Sequence, residues 1–303
     1  MKTKIVIAGG TGFVGQYLNK KFTAEGYEVI LISRNKNHVG WDNISLMTEA
    51  LENADMLINL AGKSVDCRYN QKNKKEIFDS RIDTTRRLGE AINSCKNPPP
   101  LWINSSTATI YRHAEDRPMT ESTGEIGTGF SVNVATNWEK TFFSFTLPQT
   151  RQVALRMAIV LGNTGGVIKP LQNLVRFGLG GKQGSGKQMF SWIHMEDLYR
   201  VITFVQQHNE LSGVLNTAAP NPVTNKIFMQ QLRTGMGAWF GFPAPVWLLK
   251  IGAVLIKTET ELILKSRWVI PERLLAAGFQ FQYADIDTAF KQILDKGAQS
   301  SNQ

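Results

Sequence analysis

A glycine string placed directly between a strand and a helix constrains this chain more than any other feature. Lys4–Ala8 (KIVIA) is a short apolar run, and Gly9–Gly15 (GGTGFVG) follows it at once. A short, continuous apolar run suits a strand buried on both faces of a parallel sheet. Beyond the glycines, Val14, Leu18 and Phe22 recur every four residues until Gly26 stops the pattern, which predicts a helix. In that context Gly9 permits a tight turn. Gly12 lets backbone N–H groups approach a pyrophosphate at the positive end of the helix, and Gly15 permits close helix–strand packing. Thr11, Phe13 and Val14 lie within the same cradle.

The alternation continues. Val29–Ile32 is an apolar run ending at Ser33-Arg34, Ala50–Ala54 reads as a short helix, and Met56–Leu60 is a strand closed by Ala61-Gly62. Asn73–Ser94 reads as a long helix with Phe78, Ile82, Thr85, Leu88 and Ile92 on one stripe, ended by Pro98-Pro99-Pro100. Leu101–Asn104 is a strand leading into Ser105-Ser106-Thr107, Asn137–Phe145 is helical, and Val153–Met157 is a strand. Strands alternating with helices over the first ~160 residues predict an α/β, doubly wound parallel sheet, a Rossmann domain over 1–160. The remainder, 161–303, reads as a smaller substrate lobe woven onto it, with no clean linker. Gly178–Gly186 is a glycine-rich loop, Met195–Gln207 a helix, Val214–Thr217 a strand, and Pro271–Ala277 a helix closed by Gly278. A C-terminal helical extension covers about 246–295. Within it, Val246, Leu249, Ala253 and Ile256 form a stripe fit for burial.

Composition narrows the setting. The 303 residues are 42% hydrophobic, which excludes a disordered chain. Two cysteines, Cys67 and Cys95, cannot build a disulfide framework, and four scattered histidines lack metal-ligand spacing. The N-terminus carries too short an apolar run for a secretory signal, and Val246–Ile256 is too short to span a bilayer, so a soluble cytoplasmic protein is expected. The formal charge of +9 favours acidic partners. The densest basic stretch, Lys72 to Arg87, is interleaved with Glu76, Asp79, Asp83 and Glu90. It reads as a solvated helix face, and no nucleic-acid or membrane partner is expected.

The end of the second strand selects the dinucleotide. A carboxylate there would hold a ribose 2′-OH, but Ser33-Arg34 stands in its place, with Lys36 nearby. Arginine plus a hydroxyl grips a 2′-phosphate, so NADP(H) is preferred over NAD(H). Asn59, Leu60, Ala61 and Gly62 end another strand, where small residues let a cofactor lie against the backbone.

Three of these strings, Gly9–Gly15, Asn59–Gly62 and Ser105–Tyr111 (SSTATIY), together resemble the extended short-chain dehydrogenase/reductases. LRMAIVLG at Leu155–Gly162, GLGGKQGSGKQMFSWIHMEDL at Gly178–Leu198, NTAAPNPVTNKIF at Asn216–Phe228 and VIPERLLAAGFQF at Val269–Phe281 narrow the likeness to the atypical "epimerase family" proteins. The resemblance covers nearly the whole chain and implies an NADP(H)-binding fold with a C-terminal extension of unassigned role. It supplies no substrate.

The extended reductases use a Tyr-x-x-x-Lys pair near a Ser or Thr to exchange a proton while hydride moves. Counting back from Glu139, which matches a carboxylate common on that helix, puts Ser131 at the Tyr position and Ala135 at the Lys position. The pair is absent. Ser106 and Thr107 match the Ser/Thr element, with the register between them open, and Tyr111 is a further hydroxyl near the strand end. Arg81 sits one residue from the helix stripe, either as a phosphate clamp or as a surface arginine paired with Asp79 or Asp83. His194 reads as structural, with Asp197 organising the turn. Lys182 and Lys187 in the glycine-rich loop either close over an acidic substrate or mark a plain turn. The expected function is an NADP(H)-dependent oxidoreductase or epimerase-like enzyme on a small polar substrate, with a phosphorylated compound, a sugar nucleotide or a carbonyl compound as the candidates. The alternative is a non-catalytic NADP(H)-binding regulator. Oligomeric state is not legible.

Overall fold

Six parallel strands form the centre of the molecule, as seen in a computed structural model that describes residues 3–247, 249 and 264–295. They are β1 (Lys4–Ala8), β2 (Glu28–Ile32), β3 (Met56–Asn59), β4 (Leu101–Thr107), β5 (Arg151–Met157) and β9 (Gly213–Thr217), in the order β2-β1-β3-β4-β5-β9. The chain winds outward from β1 to β2, then returns to build β3 on the other side of β1. That reversal places a crevice beyond the carboxyl ends of β1 and β3.

Residue alternation sorts the two faces. Ile5 and Ile7 of β1 pack with Leu18 and Phe22 of α1 (Phe13–Ala24) and with Leu198, Val201 and Val205 of α6 (Met195–Gln207). Val6 and Ala8 face the opposite layer. There they meet Met47 and Leu51 of α2 (Ile44–Leu51), Leu88 and Ile92 of α3 (Gln71–Ser94), and Phe142 of α4 (Phe130–Phe143). β1 is thus covered on both faces, which explains the unbroken apolar run Ile5–Ala8.

Several expected boundaries shift for local reasons. α2 begins six residues before Ala50, because the Asn43 side chain accepts the Leu46 N–H at 3.0 Å and caps it. α4 begins at Phe130, seven residues before Asn137, following Gly129 at φ +103°. β4 extends through Ser105, Ser106 and Thr107, so these hydroxyls belong to the strand. On α3, Ile77 is buried in preference to the expected Phe78.

The chain after β5 forms the smaller lobe. β6 (Ile159–Leu161) pairs with β8 (Trp192–His194), and β7 (Met189–Phe190) pairs with β10 (Val223–Thr224). α5 (Ile168–Arg176), α7 (Asn225–Gly235), α8 (Glu272–Ala276) and α9 (Ile286–Leu294) complete the described elements. Leu171, Phe228, Leu232, Phe290 and Ile293 share one core in this lobe. The lobe is interwoven with the Rossmann half: β9 and α6 return to complete the large sheet and its cover. Asp197 is fully buried and accepts the backbone N–H groups of Gln282 and Tyr283, each at 2.8 Å, tying α6 to the C-terminal segment. The N-cap of α6 is the side chain of His194, which accepts from the Glu196 N–H. Of the expected stripe Val246, Leu249, Ala253 and Ile256, the last two fall within 250–263, which with 248 lies outside the described residues. Among the described residues, no helix is long and apolar enough to cross a membrane.

Candidate functional site

The β1–α1 turn is shaped by contacts only glycine allows. Gly9 has φ +78°, and a Cβ on it would lie 2.8 Å from the backbone of Leu60 and Ala61. A Cβ on Gly15 would lie 2.6 Å from Gly10 Cα, so the third glycine lets the helix close on its own turn. Gly12 differs, because a Cβ there would meet only Gly9 O at an ordinary 3.5 Å. Nothing in the protein crowds that position. Gly12 caps α1 without a side-chain hydrogen bond, and the first turn holds no acidic residue. The N–H groups of Phe13, Val14 and Gly15 therefore open the helix at its positive end, the arrangement that accepts an anion. The Phe13 ring turns away and packs at Gly162, Gly165 and Gly166. Thr11 is exposed at the tip, and Val14 is partly buried.

At the end of β2, Ser33 is buried with its hydroxyl 2.8 Å from His38 Nδ1, and it accepts the Asn35 N–H at 3.0 Å. Arg34 is exposed beside it. At the end of β3, Asn59 is fully buried and its side chain serves the loop. Its amide donates to Asn104 Oδ1 at 2.7 Å and Thr85 Oγ1 at 3.1 Å, while its oxygen accepts the Ala61 N–H at 3.0 Å. Trp138 Nε1 closes the set by donating to Thr85 at 2.8 Å. Asn59 thus positions Leu60, Ala61 and Gly62 through side-chain bonds to β4 and α3.

A cavity opens between α3 and α4, beyond the ends of β3 and β4. Leu60, Ala61, Gly62 and Ser105, Ser106, Thr107 form the strand side. Ile77 and Arg81 of α3, and Phe130, Ser131, Val134, Ala135 and Trp138 of α4, form the helical side. The i, i+3, i+4, i+7 spacing of the last four is one helix face. Ser131 and Ala135, the positions where a Tyr and a Lys are expected, do face this cavity.

The three hydroxyl candidates separate by their hydrogen bonds. Ser106 donates to Glu139 Oε1 at 2.5 Å. Thr107 Oγ1 accepts the Thr109 N–H at 3.1 Å, which leaves its own proton to donate. Tyr111 is a correction: it is 2% exposed and is not among the cavity's lining residues. Its hydroxyl faces Asn216 Oδ1 at 2.8 Å and Thr120 O at 3.2 Å, and accepts from Arg156 Nη1 at 2.9 Å. Burial raises its pKa, against the lowering effect of Arg156.

Sequence reasoning missed Arg156 altogether and used Glu139 only as a marker of register. The two form a bidentate, buried ion pair, Nε–Oε1 2.9 Å and Nη2–Oε2 2.7 Å, which holds the Arg156 pKa above its ordinary value despite desolvation. Ser106, Arg156 and Asn216 are register partners on β4, β5 and β9, so a polar row crosses three strands beneath the cavity. The signal was available: an arginine set between the apolar Val153–Leu155 and Met157.

Arg81 is paired with neither expected carboxylate. Asp79 meets Lys75 at 2.5 Å and Asp83 meets Arg86 at 3.0 Å. The glycine-rich loop with Lys182 and Lys187 does not line the cavity. It is tied to the chain at 242–244 through Gly181 N to Phe242 O at 3.1 Å and Ala244 N to Lys182 O at 2.9 Å. Among the described residues, no cluster of His, Cys, Asp and Glu could hold a metal ion.

Known proteins place this architecture. Residues 5–131 match the NAD dependent epimerase/dehydratase family, and residues 244–293 match a domain of unknown function, DUF1731. The human epimerase family protein SDR39U1 is 34% identical over 298 residues, covering 96% of this chain and 99% of its own. The epimerase family protein YfhF of Bacillus subtilis is 32% identical over 300 residues, covering 96% and 97%. The crystal structure of human SDR39U1 (isoform 2) with NADPH superposes with a TM-score of 0.88 at 33% identity, covering 97% of this chain and 100% of that one.

Proposed function

The chain belongs to the epimerase family of NAD-dependent epimerase/dehydratase-like proteins, and on that premise we propose that it binds NADP(H) and exchanges hydride with a small polar substrate in the cavity between α3 and α4. The observation that carries this reading is the continuity of the glycine turn, the Leu60–Gly62 edge and the hydroxyls of β4. Backbone N–H groups of Phe13, Val14 and Gly15 hold the pyrophosphate. Arg34, with Ser33 set by His38, holds the 2′-phosphate. The residues present fit the cofactor, which supplies a hydride to the carbonyl carbon of the substrate when bound. The developing charge on the carbonyl oxygen then needs a donor. Thr107 donates the hydrogen bond that holds this charge in this reading, since Ser106 is engaged by Glu139 and Tyr111 by Asn216 and Arg156, and the alkoxide then takes its proton from water. Without a Lys to lower a phenol pKa, turnover is slow and reduction is favoured over alcohol oxidation. Both cysteines are free thiols, in keeping with a reducing, cytoplasmic compartment.

The test is direct. Calorimetric titration should give NADPH at least tenfold tighter than NADH, and equal binding sinks the 2′-phosphate assignment. NADPH absorbance is then followed across a panel of reactive carbonyls. A second reading, a non-catalytic NADP(H)-binding regulator, is favoured by Ser131 and Ala135 on the cavity wall. Tight NADPH binding with no turnover on any carbonyl would decide for it.

A further inference from the structure

Among the described residues, Arg81 is the one charged side chain lining the cavity. Its guanidinium stacks over the Trp138 ring, 5.1 Å from the centroid. Its Nη1 donates to two backbone carbonyls, Lys63 O at 3.1 Å and Ile77 O at 3.0 Å. No carboxylate pairs with it, and Nε and Nη2 have no hydrogen-bond partner among the described residues. Gly62 makes the room: a Cβ there would lie 3.0 Å from Arg81 Cζ. On the facing helix, Ser131 and Ala135 line the same cavity with short side chains. Burial lowers the Arg81 pKa to about 10, so the group stays charged at neutral pH. A largely buried cation without a counter-ion is costly in a folded protein and rarely kept without a partner.

The missing partner is an anion that arrives from outside. The cofactor's pyrophosphate already has its receptor at the start of α1, and none of Gly9–Gly15 lines this cavity. The Arg81 end of the cleft lies beside the hydroxyls of β4, where the substrate reacts in the reading above. Resting on that reading, we infer that the substrate is a small carbonyl compound bearing an oxyanion group, a carboxylate or a phosphate monoester, which Arg81 receives. A planar guanidinium with two free donors matches either group through paired N–H···O bonds. The apolar side of the pocket, Leu60, Ile77, Val134 and Trp138, takes the carbon skeleton.

The experiment uses the full chain saturated with NADPH and two matched probe pairs, benzaldehyde against phenylglyoxylate and glyceraldehyde against glyceraldehyde 3-phosphate. Binding is read by calorimetry, so no turnover is required. The wild type should bind at least one anionic probe about tenfold or more tightly than its neutral match. That preference should vanish in Arg81→Gln and partly survive in Arg81→Lys, with NADPH affinity within threefold of wild type. Equal binding within both pairs by the wild type overturns the inference without any variant. A tenfold loss of NADPH affinity in Arg81→Gln, with probe preference intact, overturns it by assigning Arg81 to the cofactor. Failure of the wild type to bind NADPH at all instead defeats the cofactor reading.

Discussion

At the β1–α1 turn the open polar groups are the main-chain amides of three consecutive residues, Phe13, Val14 and Gly15, whereas the α3–α4 cavity is lined by side chains drawn from the segment after β3 and from α3, β4 and α4. The turn is local and its geometry follows from the absence of side chains. The cavity is assembled at long range and depends on a buried polar row under its floor. The two ends should therefore fail differently, the turn by crowding and the cavity by loss of a partner.

The largest expected effect is at the cavity floor. Glu139→Ala strands Arg156, whose side chain is 12% exposed, with only Tyr111 left to meet it. Removing one partner of a buried ion pair costs roughly 3–5 kcal/mol. Thermal or denaturant unfolding checks this, and a loss below about 1 kcal/mol would show that the row contributes little. Glu139→Gln, which keeps an acceptor for Ser106, should cost less.

Next comes a contrast within the turn itself. Gly9→Ala must hold a side chain at φ +78° and push Cβ into the Leu60–Ala61 backbone. Left-handed strain and overpacking together cost about 2–4 kcal/mol. Gly12→Ala meets nothing closer than 3.5 Å and should fold normally, yet weaken NADPH binding by obstructing the pyrophosphate. If both variants lose stability equally, the distinction between a glycine needed by the fold and one needed by the ligand disappears.

The same contrast explains what the sequence could disclose. The sheet was legible because each large-sheet strand holds a short apolar run and the helices α1 and α3 have a clear period. The turn was legible because seven adjacent residues fix it. Ser131 and Ala135 are reached by counting back from Glu139, although the helix that carries them is expected to begin only at Asn137. The polar row was not legible, because Ser106, Arg156 and Asn216 meet only through strand pairing across 110 residues of chain. Tyr111 was misplaced for the same reason: its proximity to Ser105 in sequence hid a partner on β9. The small lobe's short strands, β6, β7, β8 and β10, are two or three residues long and leave no periodic signal.

Arg34→Ala tests the turn's outer edge, where a side chain supplements the backbone. Arg34 is exposed and set beside Ser33, so its removal should leave stability unchanged. Losing a charge-assisted phosphate contact is worth roughly 1.5–3 kcal/mol, so the NADPH-over-NADH preference should narrow about tenfold or more. Parallel titration of both cofactors measures it. An unchanged ratio would move 2′-phosphate recognition away from β2.

The smallest effect separates the cavity's chemistry from its scaffolding. Tyr111→Phe keeps the ring packed and removes only the hydroxyl. Arg156 retains both bonds to Glu139, and the Asn216 side chain retains its donation to Ile270 O at 3.0 Å. The loss is then that of two hydrogen bonds, the one donated to Asn216 Oδ1 and the one accepted from Arg156 Nη1, about 1–2 kcal/mol, visible as a drop in the unfolding midpoint. Because the hydroxyl does not line the cavity, NADPH oxidation by the variant should match wild type on whichever carbonyl proves reactive. Thr107→Val should do the reverse, leaving stability nearly intact and reducing turnover. Should Tyr111→Phe abolish turnover while Thr107→Val does not, the proton would have to travel through the buried row, and the floor would be part of the chemistry.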